Sequence, residues 1–374
     1  MVRKTILAIS TLIGTIVGAG IFGIPFVVMK SSFPIGLIHI LILTIIMIII
    51  NLYLGEIALR TKQSHHLTGY AEKYLGNKGK LIMFIAVAFG ICAAIIAYLI
   101  GIGESLSFLF FESTSYSLQF GLLFWLIMSI TCYFGIKALE EGEFLGVTII
   151  LILIILIAIF FSNKIDITNL YFSKQSTLSY FAPFGVVFFA LLGYTTIPEV
   201  KRILKNKENK MKQSIIIATL ICAVIYIVFA AIVLGFRGAD TPEIATLALG
   251  KPFVLFGIFT MFTSYLALSV ALIDMLKLDF NIRKIKAWFF TSSLPLILFF
   301  ILELTKSASF IKVLGIGGVI SGGLTAILIL SIINNAKIKG DRRPEYSIPT
   351  SRLLTFLLIL IFVIGTIIEI INTI

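Results

Sequence analysis

Charged residues are scarce in this chain of 374 residues: Asp, Glu, Lys and Arg make up 13%, whereas hydrophobic residues make up 59%. Soluble domains carry about twice that share of charge, roughly 25%. An ordinary water-soluble enzyme is therefore excluded. The apolar residues form about eleven runs of roughly 18 or more residues, each long enough to cross a hydrocarbon core of about 30 Å as a helix. The sequence predicts an all-α polytopic membrane protein.

Cysteine and histidine are also rare, with three residues of each. The cysteines all fall within apolar runs, where a disulfide framework is not expected, and His65 and His66 lack a third ligand at a useful spacing. No nucleophile–base pair or metal cluster is recognisable at membrane depth, which argues against a membrane-embedded enzyme. We therefore predict no enzymatic activity, no metal and no cofactor.

Negative charge is the scarcer sign, because 30 Lys and Arg residues oppose 18 Asp and Glu residues. When successive loops are assigned to alternate sides of a membrane, most Lys and Arg residues fall on the side of the amino terminus. Such a bias is typical of cytoplasmic loops, so it predicts a multi-pass protein of the cell membrane with a cytoplasmic amino terminus. The basic excess thus indicates orientation in a lipid bilayer and gives no support to nucleic-acid binding.

Glycine and proline interrupt the first and sixth apolar runs. Residues 14–25 read GTIVGAGIFGIP, and the pattern G-x-x-x-I-P occurs at both 20–25 and 193–198. Glycine costs a helix about 1 kcal/mol relative to alanine, and proline removes a backbone donor, so both helices are predicted to break at mid-depth. The residues predicted to form the breaks are Gly18, Gly23, Pro25, Gly193 and Pro198.

The second interrupted run comes five spans after the first, an odd number, so the two runs cross the membrane in opposite directions. This is the pattern of an inverted repeat. We predict one transporter domain over residues 1–374, with a first five-helix repeat at 1–162, a second, inverted repeat at 180–333 and an additional helix at 353–374. For Gly14 and Gly18 alone, a close helix-packing surface of the G-x-x-x-G kind is an equal alternative.

Two opposed breaks can hold a zwitterion, because free N–H groups at a helix start favour an anion and free C=O groups at a helix end favour a cation. We expect an amino acid to place its carboxylate near Ala19, Gly20 and Ile21. Its ammonium should lie near the carbonyls of Ile16, Phe189 and Leu192. The Tyr98 hydroxyl is predicted to be a further donor to the carboxylate, and aromatic rings are predicted to line a pocket for the substrate side chain. For Tyr98 and for each ring residue, the alternative is ordinary packing within the helix bundle. The ring residues are Phe22, Phe188, Phe189 and Tyr194.

Three hydroxyl groups share one face of the eighth run, those of Thr260, Thr263 and Ser264. With carbonyls of Gly14 and Val17 freed by the first break, they would form a small oxygen cage suited to Na⁺ or a water molecule. The alternative is that the hydroxyls donate to carbonyls of their own helix. The coupling ion therefore stays open between Na⁺ and H⁺.

Residues 14–25 resemble the opening signature of the aromatic and hydroxy amino acid permeases, within the amino acid/auxin permeases and the wider amino acid–polyamine–organocation transporters. Residues 263–274 are similar to the T-S-F-L-G-x-x-x-G-L-x-D stretch of that group, with Ala267 and Ala271 in place of glycines. The resemblance implies the leucine-transporter fold, a 5+5 inverted repeat with about eleven transmembrane helices. It also implies ion-coupled import of a neutral amino acid, aromatic ones included, by alternating access.

The sequence leaves several functions of this class open. The alternatives to a symporter are an amino acid sensor that resembles a transporter and an exchanger of amino acids or amines. A sensor is expected to carry a long tail or docking domain, which the short loops do not provide. Some proton-coupled relatives place a lysine in the fifth span, but the run at 144–161 has no charge. The oligomeric state is also open, with a monomer as one option.

Overall fold

The protein is a bundle of α-helices in a computed structural model that describes residues 2–134, 139–171, 177–307 and 309–373. Ten helices of the described chain are long and apolar enough to cross a membrane, or eleven segments when one bent pair counts as a span. The predicted all-α polytopic architecture is confirmed. The end of the predicted fourth span, at 135–136, and Ile374 lie outside the described residues. The α-helices are α1 (Val2–Ile16), α2 (Gly20–Ser31), α3 (Phe33–Arg60), α4 (Leu67–Phe111), α5 (Ser117–Phe134), α6 (Leu139–Phe161), α7 (Pro183–Ala190), α8 (Ile197–Ile203), α9 (Met211–Arg237), α10 (Lys251–Phe280), α11 (Lys284–Thr305), α12 (Phe310–Gly317), α13 (Gly323–Lys339) and α14 (Arg352–Thr373).

Helix α4 lies at the centre of the bundle and α14 at its edge. In the most apolar stretch of α4, 72% of the residues are buried, whereas in the most apolar stretch of α14 only 22% are buried. Both helices are predominantly apolar, so composition alone does not separate a central helix from a lipid-facing one. Large apolar side chains such as Ile45, Phe134 and Ile159 remain exposed on the outer surface, as expected for contact with lipid tails.

Both predicted breaks are present, and each separates two half-helices. Helices α1 and α2 are bent by 54° around residues 17–19, and α7 ends at Ala190, well before α8 begins at Ile197. Helix α2 packs on α7 and α1 packs on α8, so the two broken spans run in opposite directions. We call the side of α1 and α8 the amino-terminal side and the side of α2 and α7 the far side; the far side is the predicted extracellular one.

The extent of the first break differs from the prediction. Gly18 and Gly193 lie in the two breaks, and Pro198 lies in the first turn of α8, where its missing N–H removes no helical hydrogen bond. Gly23 and Pro25, however, lie inside α2, so their assignment to the break is wrong. Helix α2 is buried along nearly its whole length against α7 and α9, and this packing holds it together despite the proline.

A π-helical turn joins α12 to α13 at Gly318–Gly322. Such turns are rare and are often found at functional sites. Here the small glycines allow the chain to approach α7 closely, because a methyl group at Gly318 would lie 2.7 Å from the carbonyl oxygen of Gly185. The turn also places Ser321 within 3.1 Å of the Tyr194 hydroxyl, beside the second break.

Candidate substrate site at the two helix breaks

A cavity lies between the two breaks, at mid-depth in the bundle. Its volume is about 50 Å³, room for roughly four water molecules. Six of the ten predicted substrate contacts line it, namely Ile16, Gly20, Tyr98, Phe189, Leu192 and Tyr194. The other lining residues are Thr15, Gly18, Val87, Gly90, Ile91, Ala94, Thr195 and Leu268. The structure therefore brings the two breaks together with α4 and α10 around one space.

The other four predicted contacts do not line this cavity. Phe22 is fully buried, with its ring edge-on to the rings of Phe229 and Phe256 at centroid distances of 6.2 and 5.8 Å. Phe188 stacks on Phe362 of α14 at 5.2 Å. Both rings therefore belong to the helix-packing core, which corrects their predicted place in a side-chain pocket. Ala19 and Ile21 are buried beside the first break.

Tyr98 reaches from α4 to the first break. Its hydroxyl faces the backbone of Ala19 and the side chain of Ser264. The absence of a side chain at Gly18 leaves room for this approach, since a methyl group there would lie 3.0 Å from the Tyr98 oxygen and 3.1 Å from Ser264 Oγ. Ser264 Oγ is buried and forms no hydrogen bond of good geometry within the described residues. Two polar groups are thus available where the first helix is interrupted.

Tyr226 of α9 connects the two breaks. Its hydroxyl donates to the carbonyl of Ile16, the last residue of α1, and to the carbonyl of Ala190, the last residue of α7, with both oxygens at 2.7 Å. The final carbonyls of a helix lack partners within the helix, so a buried helix end needs an external donor. Tyr226 supplies that donor, and its single hydroxyl proton is shared between the two half-helices. The sequence gives no sign of this role, because Tyr226 is one aromatic residue within an apolar run.

The predicted ion-binding residues lie partly at the first break. Ser264 faces the break, as described, whereas the Thr260 hydroxyl donates to Gly257 and the Thr263 hydroxyl to Thr260, both at 2.9 Å. These two hydroxyl groups therefore donate their protons to carbonyls of their own helix, as the alternative prediction stated. Their oxygen atoms keep lone pairs that could bind a cation. Val17 lies in the break itself, and Gly14 packs against Val147 of α6.

The sequence model of the tryptophan/tyrosine permease family matches residues 1–371. The chain belongs to this family. Its fold is similar to that of MhsT, solved in complex with L-phenylalanine, with a TM-score of 0.66, 17% sequence identity, and coverage of 99% of this chain and 97% of that chain. The comparison with curated proteins gives no match. The permease thus has the leucine-transporter fold and is a multi-pass membrane protein of an amino acid transporter family.

Helix α4 of the permease contributes more of the cavity wall than the sequence indicated. Val87, Gly90, Ile91, Ala94 and Tyr98 all line the cavity. They recur every three or four residues, which is the spacing of one face of a helix. The small residues Gly90 and Ala94 on the same face as Tyr98 are a signal in the sequence that could have identified this wall.

The permease also has a polar group on the amino-terminal side of the cavity that the sequence pattern did not predict. Asn51 of α3 is fully buried, neither atom of its amide has a hydrogen-bond partner in the described chain, and its nitrogen lies near Gly193 in the second break. Close by, the Thr196 hydroxyl donates to the Thr15 hydroxyl at 2.7 Å and so links the two broken spans. A lone Asn in an apolar run is the signal that could have identified Asn51.

Proposed function

We propose that this permease imports a neutral amino acid with an aromatic side chain, by symport with a cation and alternating access. The observation that carries the proposal is the cavity where two oppositely directed broken helices meet, bordered by Tyr98, Phe189 and Tyr194. The family description and the L-phenylalanine bound to MhsT support this class of substrate. We place the permease in the cell membrane with its amino terminus in the cytoplasm, on the strength of the Lys and Arg distribution.

The two breaks fit the two charges of an amino acid. Helix α2 begins at Gly20, where the first-turn N–H groups have no helical partner and the helix dipole favours an anion. The carboxylate would lie there, with the Tyr98 hydroxyl as a further donor. The carbonyls of Ile16 and Phe189 already accept hydrogen bonds, from Tyr226 and from the N–H of Leu192, so the ammonium group would bind chiefly near the carbonyl of Leu192.

The aromatic side chain needs more space than the present cavity offers. A volume of about 50 Å³ holds a few water molecules but not an indole or phenol ring. Phe189 and Leu192 are half-buried and border both the cavity and the second break, so they are the side chains whose rotation would widen it. Substrate binding is thus expected to be accompanied by a rearrangement at the second break.

The cation could be Na⁺ or H⁺. Ser264 Oγ, the oxygen of Thr263 and the carbonyls of Gly14 and Val17 are the oxygen ligands that we propose for Na⁺. A buried serine oxygen that faces an interrupted helix, with the Tyr98 hydroxyl beside it, supports a ligand at this position. Transport in a sodium gradient and in a pH gradient separates the two ions.

Replacing Tyr98 with Phe tests the proposed carboxylate contact. We expect the Tyr98→Phe variant to bind labelled tryptophan or tyrosine about 10–100-fold more weakly, because a hydrogen bond to a charged group contributes roughly 1.5–3 kcal/mol. Binding to the purified protein in detergent measures this. The matched control is Tyr265→Phe, since Tyr265 is buried with its ring 6.5 Å from that of Tyr98 but does not line the cavity. Equal affinities of the Tyr98→Phe variant and the unmodified protein would contradict the contact.

A further inference from the structure

Three hydroxyl groups form a buried cluster beside the substrate cavity. The Tyr194 hydroxyl, in the second break, lies 3.1 Å from Ser321 Oγ in the π-helical turn. The Thr325 hydroxyl, four residues after Ser321 in α13, also faces the Tyr194 hydroxyl. All three residues are buried. The proposed contacts of the carboxylate, the ammonium group and the cation use none of these hydroxyls, so the cluster is available to another part of the substrate.

Gly90 of α4 connects the hydroxyl cluster to the cavity. It lines the cavity, as Tyr194 does. A methyl group at Gly90 would overlap Ser321 Oγ and would lie 3.9 Å from the Tyr194 oxygen. The missing side chain therefore allows the Ser321 hydroxyl to approach α4 closely. Ser321 Oγ thus lies directly behind the cavity wall at Gly90.

The side chains whose rotation would widen the cavity pack on the same π-helical turn. A methyl group at Gly318 would lie 2.7 Å from Cβ of Phe189, and one at Gly322 would lie 2.8 Å from Cδ2 of Leu192. Phe189 and Leu192 therefore lie between the cavity and the turn. When they rotate, the added space extends toward the turn that carries Ser321. The ring of a bound aromatic amino acid would occupy that space.

The hydroxyl cluster and the proposed carboxylate contact lie at opposite ends of the cavity. Gly90 and Tyr98 both line the cavity from α4, and they are about 12 Å apart along the helix axis. A long side chain in a helix leans toward the helix amino terminus, so the Tyr98 hydroxyl reaches part of the way back toward Gly90. An aromatic amino acid whose carboxylate lies near Tyr98 would therefore direct its ring into the widened space beside the cluster.

We propose that Tyr194, Ser321 and Thr325 form a subsite that accepts a hydrogen bond from the ring of the substrate, either the indole N–H of tryptophan or the phenol O–H of tyrosine. Each hydroxyl oxygen has two lone pairs, and the contacts within the cluster leave some of these lone pairs free for a ring donor. A site built to hydrogen-bond a substrate disfavours an analogue that lacks the bonding group. The subsite therefore selects tryptophan and tyrosine over phenylalanine. This inference rests on the proposed function and specifies its substrate class.

The test measures binding of labelled tryptophan to the purified full-length protein and its displacement by unlabelled amino acids. Two pairs differ in the ring donor: tyrosine with phenylalanine, and tryptophan with benzothienylalanine, in which sulfur replaces the N–H group. In the unmodified protein, we expect the member with the donor to bind about 3–10-fold more tightly, as for one neutral hydrogen bond. In the Ser321→Ala variant, both affinity ratios should fall by at least about twofold. Unchanged ratios in this variant would overturn the proposal.

The matched control is Ser331→Ala, which makes the same chemical change at an exposed residue of α13. The Ser331 hydroxyl donates to the carbonyl of Ile327 in its own helix and does not belong to the cluster. The control should keep the affinity ratios of the unmodified protein. If it lowers them as Ser321→Ala does, the effect is not specific to the cluster and the proposal is wrong.

A second variant keeps the proposal testable if Ser321→Ala fails to fold. Thr325→Val removes one hydroxyl of the cluster and nearly preserves the shape of the side chain, so it should also lower both affinity ratios; unchanged ratios contradict the proposal. Equal binding of tyrosine and phenylalanine to the unmodified protein overturns the subsite alone. No specific binding of labelled tryptophan, tyrosine or phenylalanine overturns the proposed function itself.

Discussion

Replacing Tyr226 with Phe is expected to lower tryptophan transport at least tenfold and to reduce thermal stability. The change removes one oxygen atom, yet the single proton on that oxygen is shared between the last carbonyl of α1 and the last carbonyl of α7, both at 2.7 Å. Tyr226 is fully buried, so water does not replace the lost donor without a rearrangement. A buried polar group left without a partner costs about 1–3 kcal/mol, and 1.4 kcal/mol corresponds to a factor of ten.

This prediction is tested by the initial rate of tryptophan uptake and by the melting temperature of the purified protein. Tyr116→Phe is the matched control, because Tyr116 is 46% exposed in the loop after α4. Loss of its hydroxyl group should change neither the uptake rate nor the melting temperature. The two carbonyls belong to opposite broken spans, so their common donor should also influence the angle between these spans. If the Tyr226→Phe variant transported and melted like the control, the bridge between the breaks would have no functional importance.

The second large effect is expected at Gly20, where even a methyl group should prevent the native contact between the broken spans. A Cβ atom at this position would lie 2.6 Å from the Cα atom of Ala190, and backbone atoms cannot move aside as a flexible side chain can. Inserting extra volume into a packed core typically costs about 1–3 kcal/mol. We therefore expect the Gly20→Ala variant to lose more than 90% of its transport rate, since a tenfold loss corresponds to about 1.4 kcal/mol.

Uptake by proteoliposomes, together with the melting temperature, tests Gly20→Ala. The control is Gly146→Ala in α6, where an added methyl group has no atom within 4 Å. Gly20 also begins α2, so its N–H group is a proposed carboxylate ligand. A variant with a normal melting temperature but no substrate binding would indicate that the added methyl group obstructs the carboxylate site, and a low melting temperature would indicate packing. Normal transport by Gly20→Ala would contradict both.

The sequence predicted the position of the breaks better than their extent. Glycine and proline mark places where a helix is weak, and Gly18 and Gly193 do lie between half-helices. Gly23 and Pro25 are just as unfavourable to a helix, yet they are helical because α2 is packed on almost every side. Local propensity identifies where a helix can break, but tertiary packing decides which of the weak positions is interrupted.

The residues that line the cavity could be predicted from the sequence when they belong to a helix break, but less well when they belong to other helices. Tyr98 could be identified because a hydroxyl at mid-span needs a partner. Phe22 and Phe188 could not be separated from Phe189, because the rotation of each half-helix sets which ring faces the cavity. Tyr226 could not be identified at all, since its partner Ile16 is 210 positions away in the chain and nothing local marks the contact.

The central claim is that the permease accumulates an aromatic amino acid by cation symport, and the most direct test is uptake by proteoliposomes that contain the purified protein. Labelled tryptophan, tyrosine, leucine, alanine and serine would be supplied one at a time under an inward sodium gradient, an inward proton gradient, or no gradient. We predict accumulation of tryptophan or tyrosine above the external concentration under at least one gradient, and its collapse when an ionophore dissipates that gradient. No gradient-driven accumulation of any of these amino acids would contradict the account.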